Sequence, residues 1–153
     1  SIATIKELDN SDNGTKLDAG ELTLKFNTVT AIEAGKPYIV KWATTGSNLS
    51  NPVFNDVIIS NTAASEVESD DKNVKFVGQY SPFDITDANK NEILYVASGN
   101  KIGYSAKART LKSCRAHFWV KPNDTNAPAV NSINIDFGDN EVVTGITTTN
   151  YTN

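Results

Sequence analysis

The chain has 153 residues, enough for one domain with a hydrophobic core. Its apolar residues make up a modest 39% and recur in short runs. A formal net charge of −4 argues against nucleic acid as a partner, because an acidic surface gains nothing from counterion release on a phosphate backbone. One cysteine excludes an internal disulfide, and no apolar run approaches the roughly 20 residues of a membrane span.

Segments in which apolar and polar residues alternate predict β-strands along the chain. In "ELTLKFN" (21–27) the two leucines and the phenylalanine share one face. In "PYIVKW" (37–42) Tyr38, Val40 and Trp42 share a face, so we expect Trp42 in the core, with the rim of the fold as the alternative. Six further runs follow: "DVIIS" (56–60), "NVKFVGQY" (73–80), "EILYVAS" (92–98), "KIGYS" (101–105), "CRAHFWV" (114–120) and "NSINIDF" (131–137).

Turn-forming residues separate these runs, and no segment has a sustained helical period. Ser98-Gly99-Asn100 is short enough to join strands 92–98 and 101–105 in a hairpin. Eight or more short strands without helices predict an all-β fold, an antiparallel β-sandwich with a β-barrel as the alternative. We expect a single domain over residues 1–146 and a flexible tail or linker over 147–153, where alternation is lost.

The only cysteine and the only histidine lie three residues apart in "CRAHFWV", which raises the possibility of a thiol active site. A nucleophilic thiol needs its base within hydrogen-bond reach. Because side chains alternate along a strand, Cys114 shares a face with Ala116, Phe118 and Val120, while His117 points away. The pattern therefore predicts Cys114 as a core residue and excludes the pair as a catalytic site.

The opposite face of the same strand carries Arg115, His117 and Trp119 in a row. A guanidinium, an imidazole and an indole together can hydrogen-bond sugar hydroxyls, stack on a ring or bind an anion. We take this row as a tentative ligand-binding face, and Tyr104 joins it if segment 101–105 pairs with 113–120. The alternative is structural, with Trp119 covering a second sheet or packing against a neighbouring strand.

Basic residues collect in one stretch of the chain, since there is no acid between Glu92 and Asp124. We expect these cations to pair across strands with the acidic segment 66–71, and the alternative is an anion-binding strip. The cations are Lys101, Lys107, Arg109, Lys112, Arg115 and Lys121.

The stretch "DNSDNG" (9–14) begins like a calcium-binding loop. Such a loop ends in a bidentate glutamate at its twelfth position, where this chain has Gly20. We therefore predict a polar hairpin turn and no cofactor. Adventitious calcium is conceivable at this turn or at the pairs Asp84/Asp87 and Asp136/Asp139.

No residue pattern indicates an enzyme. The paired carboxylates that a glycosidase requires occur only in or beside turns, where aspartate is favoured for its own backbone hydrogen bonds. There is no phosphate-binding glycine loop and no G-x-S-x-G motif, and any triad would have to use His117.

Six stretches in order carry a family resemblance: "IEAGKPYIVKW", "NLSNPVFNDVIIS", "VKFVGQYSPFDI", "ILYVASGNKIGYS", "SCRAHFWV" and "INIDFGDNEVVTGI". They resemble a largely uncharacterised module of secreted and surface proteins of the Bacteroides and Prevotella group. That module often follows leucine-rich repeats of the Bacteroides surface-protein adhesin type. The resemblance implies a β-rich fold and an extracellular or cell-surface setting, but no known activity. Together with the polar, turn-rich composition and the lack of catalytic patterns, it leads us to expect a non-catalytic accessory, stalk or adhesion module. Its expected partner is a glycan or a host or cell-surface protein, and the alternative is a carbohydrate-binding module using the Arg/His/Trp face.

The chain departs from that family in two places. Family members carry an upstream stretch resembling "WNTLCLPF", which is absent here, and the chain begins at Ser1 like a processed or excised piece. If that stretch supplies a strand, the domain needs it and the first sheet has an open edge. The family's usual Tyr-Phe is replaced by His117-Phe118-Trp119.

Overall fold

The chain folds into β-strands joined by turns and loops. The computed structural model describes residues 3–42, 61–97, 101–121 and 130–138, and the backbone of 142–147. No helix long and apolar enough to cross a membrane occurs in these residues. The thirteen described strands are β1 (Ala3–Leu8), β2 (Lys16–Asp18), β3 (Glu21–Val29), β4 (Ile39–Trp42), β5 (Glu66–Glu68), β6 (Val74–Gln79), β7 (Phe83–Ile85), β8 (Ile93–Ala97), β9 (Lys101–Tyr104), β10 (Arg109–Leu111), β11 (Arg115–Val120), β12 (Ser132–Asp136) and β13 (Val142–Thr147).

The strands form two main sheets and a ribbon. The first sheet has the order β13-β12-β3-β1-β4, with β2 also paired to β3, and the second has the order β5-β6-β11-β8-β9. Strands β7 and β10 form the separate two-stranded ribbon. All described pairs are antiparallel except β3 with β12. Neither sheet closes into a barrel within the described strands, so the predicted all-β sandwich is confirmed.

The main core lies between the two sheets. Phe26 of β3 meets Phe76 of β6 and Phe118 of β11 edge-on, with ring centroids 6.3 and 6.2 Å apart. Phe76 and Phe118 stack on each other at 4.5 Å. Burying side chains of this size stabilises a fold by about 1.5–3 kcal/mol each. The core residues are Leu8, Leu22, Leu24, Phe26, Val74, Phe76, Leu94, Ile102, Phe118, Val120, Ile133 and Ile135.

The ribbon of β7 and β10 covers part of the outer face of the second sheet. Phe83 of β7 stacks on His117 of β11, with ring centroids 4.2 Å apart and an interplanar angle of 25°. Ile85 of the ribbon and Ile93 of β8 are also buried. Because Ile93 and Leu94 are adjacent and both buried, β8 is covered on both faces.

Strand β4 turns the opposite face to the core from the one predicted. Ile39 packs against the core, whereas Val40 is 40% exposed. The cause is the register with β1, which pairs Ile39 with the buried Lys6. Trp42 is half-buried on the Val40 side of the strand, so the prediction that it lies in the core is wrong.

Other strand predictions have mixed outcomes. The hairpin of β8 and β9 is confirmed by its antiparallel register from Leu94↔Tyr104 to Ala97↔Lys101. The predicted strand 56–60 lies outside the described residues. Strand β13 extends to Thr147, one residue beyond the predicted domain end.

The segment "DNSDNG" is a loop between β1 and β2, which pair successively with the same strand β3, so it is not the predicted hairpin turn. Asp9 organises this loop, because its Oδ1 accepts hydrogen bonds from Ser11 N at 3.1 Å and Ser11 Oγ at 2.7 Å. Burial alone would raise the pKa of Asp9. The bonds from Ser11 and the nearby charge of Lys25 outweigh burial and lower that pKa.

Candidate functional site: a tyrosine- and arginine-lined cleft

An open cleft of about 1180 Å³ lies where the two sheets and the ribbon meet. One wall is segment 35–40, which leads into β4, and the other walls come from β6, β8, β10 and β11. Its volume is slightly above the usual range for small-molecule sites, and its walls mix aromatic and basic side chains.

A short hydrogen-bond relay holds the 35–40 wall against β6. Gly35 adopts φ +87°, and a Cβ at this position would lie 2.3 Å from Ala63 O, so only glycine fits. Ser65 N donates to Gly35 O at 2.9 Å, and Gly78 N of β6 donates to Ser65 O at 3.0 Å. Backbone hydrogen bonds through Ser65 therefore join the 35–40 wall to β6.

Three tyrosines line the cleft, and they differ in how open their rings are. Tyr80 is 53% exposed, and its hydroxyl donates to Thr62 O at 3.1 Å. The hydroxyl of Tyr38 accepts a hydrogen bond from Glu33 N at 2.9 Å. Tyr95 lies under the guanidinium of Arg109, 5.0 Å from its ring centroid. Tyr80 thus offers the most accessible ring, in an orientation fixed by its hydroxyl.

Four cations line the cleft, and its described lining includes no Asp or Glu. Lys36 is engaged by Glu7, whose Oε2 lies 2.7 Å from Nζ, and this hydrogen bond raises the pKa of Lys36. Arg109 Nη1 donates to the hydroxyl of Tyr95. The side chains of the remaining two, Lys112 and Arg115, are exposed.

The structure separates the three residues predicted to form one exposed face. Arg115 is exposed and lines the cleft. His117 is only 1% exposed because Phe83 covers it, so the expected open row is wrong at its centre. Trp119 is half-buried, its Nε1 donates to Glu92 Oε2 at 2.9 Å, and the ammonium of Lys121 lies 5.1 Å from its ring centroid.

His117 is a buried neutral imidazole. Its Nδ1 lies 2.9 Å from Gln79 Oε1, so Nδ1 carries the proton and donates it. Its Nε2 is buried with no hydrogen-bond partner among the described residues. Burial lowers the pKa of His117 to about 4, because the charged form loses its hydration. Both nitrogens are thus withdrawn from a ligand at the surface.

Tyr104 does not lie beside the predicted face. Its strand β9 pairs with β8, and β8 lies between β9 and β11. The side chain packs against the main core, and burial raises the pKa of Tyr104 to about 12, with a smaller contribution from the charge of Glu92.

Cys114 is exposed and lines the cleft, so its prediction as a core residue is wrong. The strand begins at Arg115, and Cys114 before it adopts φ +54°. This left-handed conformation interrupts the extended backbone, and the alternation that places Phe118 and Val120 in the core does not reach back to Cys114.

The predicted pairing of the basic stretch with the acidic segment is also wrong at the glutamates. Glu66 pairs with Lys75 at 2.7 Å, and Glu68 pairs with Lys72 at 3.2 Å. Three cations of the basic stretch line the cleft instead. The lack of acidic residues in that stretch is therefore the sequence signal that points to the cleft. The tyrosines carried no such signal, because residues distant in sequence bring them together. Those three cations are Arg109, Lys112 and Arg115.

The described residues contain no group of three or more His, Cys, Asp or Glu arranged to hold a metal ion. The described members of the carboxylate pairs considered for calcium have protein partners. Asp84 Oδ1 accepts from Thr110 Oγ1 at 2.6 Å, and Asp87 pairs with Lys90 at 2.9 Å. Asp136 Oδ1 accepts from Gly138 N at 2.8 Å, and Asp139 lies outside the described residues.

Comparisons with known proteins do not identify the chain. Searches against protein-family models, curated proteins and solved structures gave no match. The resemblance carried by the six sequence stretches therefore stays a prediction.

Proposed function

We propose that the chain is a non-catalytic accessory or adhesion module of a secreted or surface-exposed protein, and that it binds a glycan in the cleft. The cleft carries this proposal, because it combines an accessible tyrosine ring with hydrogen-bond donors in its walls. An apolar ring face packs against the C–H groups of a sugar, and nearby donors bind its hydroxyls.

The state of the single histidine supports a non-catalytic role. His117 is the only imidazole available as a general base, and it is buried beneath Phe83 with its Nδ1 engaged by Gln79. A nucleophile at the surface needs a base within hydrogen-bond reach. The extracellular setting rests on the resemblance of the six sequence stretches alone.

Calorimetric titration with a panel of neutral and acidic oligosaccharides tests the proposal. For any glycan that binds, Tyr80→Ala should weaken affinity about fivefold or more, since loss of a stacked ring costs on the order of 1 kcal/mol or more. Circular dichroism of the variant should be unchanged, because Tyr80 is largely exposed.

Trp119→Ala is the matched control, since it removes a larger ring from outside the cleft. It should leave binding unchanged. Loss of binding in Trp119→Ala with normal binding in Tyr80→Ala would move the site to the face of β11 and reject the cleft. An absence of binding to every oligosaccharide in the panel would reject the glycan-binding function itself.

A further inference from the structure

The charge of the cleft differs in sign from that of the whole chain. The chain carries a formal net charge of −4, yet the described lining of the cleft contains only cations among its charged residues. Elsewhere, acids such as Glu66 and Glu68 are neutralised locally by Lys75 and Lys72. A positive cleft in an acidic protein concentrates negatively charged ligands.

The four cations of the cleft differ in whether other protein groups already pair with their charge or accept their hydrogen bonds. Glu7 neutralises Lys36 at 2.7 Å, and the hydroxyl of Tyr95 accepts one hydrogen bond from Arg109. Lys112 and Arg115 form no ion pair with another described residue, although both are exposed in the cleft. The guanidinium of Arg115 therefore keeps a planar set of donors, which matches a carboxylate with two parallel hydrogen bonds.

Gln79 connects β6 to the segment that carries the two exposed cations. In the register of β6 with β11, Gln79 lies directly opposite Arg115, and Tyr80 is the next residue. Gln79 Nε2 donates to the carbonyl of Lys112 at 3.2 Å, which fixes that part of the backbone. The Oε1 of Gln79 already accepts a hydrogen bond from His117. It therefore does not compete with a ligand for the guanidinium of Arg115.

We infer that the cleft selects acidic glycans, with a uronate carboxylate bound by Arg115 and Lys112 and a sugar ring packed on Tyr80. The inference rests on the proposed glycan binding and adds its chemical class. A glycan fits better than an acidic peptide, because the accessible ring of Tyr80 and the two cations without an ion pair to a described residue line the same cleft. A sugar bearing its own carboxylate presents an apolar ring face and a negative charge within one sugar unit.

The test uses oligogalacturonate, alginate and hyaluronan oligosaccharides, each beside its carboxyl-reduced form, which keeps a sugar chain and removes the charge. At least one acidic form should bind tenfold or more tightly than its reduced form, and the preference should shrink as salt is raised. In Arg115→Gln and Lys112→Gln the preference should fall several-fold, while affinity for the reduced form stays the same.

Lys101→Gln is the matched control, since it removes an exposed cation that does not line the cleft. It should retain the full preference for the acidic form. Equal loss in Lys101→Gln would mean that net charge, rather than the cleft, attracts the ligand, and would overturn the inference.

Cys114 supplies a second readout in the unaltered protein. It is the only cysteine of the chain, and it is exposed in the cleft. A bound acidic oligosaccharide should slow its alkylation by iodoacetamide several-fold, and the reduced form at equal concentration should slow it less. Binding that leaves the alkylation rate unchanged would place the glycan elsewhere and contradict the inference.

The remaining outcomes separate the two proposals. Equal binding of acidic and reduced forms overturns the selection for acid and leaves glycan binding standing. Binding to neutral glycans of the wider panel without binding to the acidic forms would likewise overturn the selection for acid and leave glycan binding standing. Tighter binding of polyglutamate than of any uronate would assign the cleft to an acidic polypeptide and overturn the glycan as its ligand.

Discussion

The two faces of the second sheet are buried by different means. On the inner face, Phe76 and Phe118 meet Phe26 of the first sheet, and all three are at most 2% exposed. On the outer face, His117 lies beneath Phe83, which belongs to a ribbon of two three-residue strands. Alternation along a strand thus separates its two faces, but it does not say whether another element covers the more polar one.

This difference predicts unequal stability. The inner face gains from a continuous apolar core, whereas the outer face buries an imidazole nitrogen with no hydrogen-bond partner among the described residues. A buried polar atom without a partner reduces the stability of its surroundings. We therefore expect the ribbon to open in local fluctuations before the inner core does.

The largest expected effect compares a phenylalanine from each layer. Phe26→Ala should reduce the free energy of unfolding by about 3–5 kcal/mol, as for a fully buried phenylalanine. Phe83→Ala should reduce it by about half as much, because Phe83 is only half-buried and packs on the outer face of the second sheet, outside the main core. Urea denaturation followed by tryptophan fluorescence measures both variants.

The same variants distinguish local from global opening. Hydrogen exchange of β11 should increase in Phe83→Ala at urea concentrations where the protein stays folded. Equal losses of stability, or a larger loss in Phe83→Ala, would show that the outer layer is an equal part of the core and would contradict the comparison.

The next effect depends on pH and concerns His117. Its folded pKa of about 4 lies below the ordinary 6.5, so the unfolded chain binds the proton more readily between these values. Stability from this group is therefore complete above pH 6.5 and falls as the pH decreases toward 4. The total loss is roughly 3 kcal/mol, from about 1.4 kcal/mol per pKa unit.

His117→Phe removes the titration and keeps a flat ring against Phe83. The difference in unfolding free energy between wild type and variant should therefore change by roughly 3 kcal/mol from pH 7 to pH 4, in favour of the variant. Comparing the two proteins cancels the carboxylates, which titrate in both. A difference that stays constant with pH would mean that His117 is solvated in the folded protein, and the closed outer face would be refuted.

Much of the fold was accessible from the sequence because apolar alternation is a direct signal of a half-buried strand. Leu22, Leu24 and Phe26 are each 0% exposed, as the pattern of β3 predicted. Strand β1 was missed because its inward-facing positions include Lys6, whose Nζ donates to Thr28 Oγ1 at 2.8 Å. A buried lysine interrupts the apolar–polar alternation by which a strand is recognised. Three-residue strands such as those of the ribbon are too short to display a period of two.

The candidate site was less accessible, because its parts converge only through tertiary structure. Arg115 was identified as a site residue, and the acid-free stretch around it held Arg109 and Lys112. Tyr80 precedes a turn and gave no sign that its ring stays open. The burial of His117 depends on Phe83, which lies 34 residues earlier in the chain. No local pattern connects the two.

The smallest expected effect concerns Cys114, the residue immediately before β11. Its φ of +54° strains any residue with a Cβ, so Cys114→Gly should relieve about 1–2 kcal/mol of strain and lose part of that gain to the greater freedom of the unfolded chain. A net stabilisation of up to about 1 kcal/mol in urea denaturation is expected, and Cys114→Ser, which keeps the Cβ, should change little. A core position for Cys114 predicts that both variants are destabilised. Glycine in place of a buried cysteine would leave a cavity, and serine would bury a hydroxyl. Destabilisation in both variants would therefore return Cys114 to the core and extend the inner face of β11 by one residue.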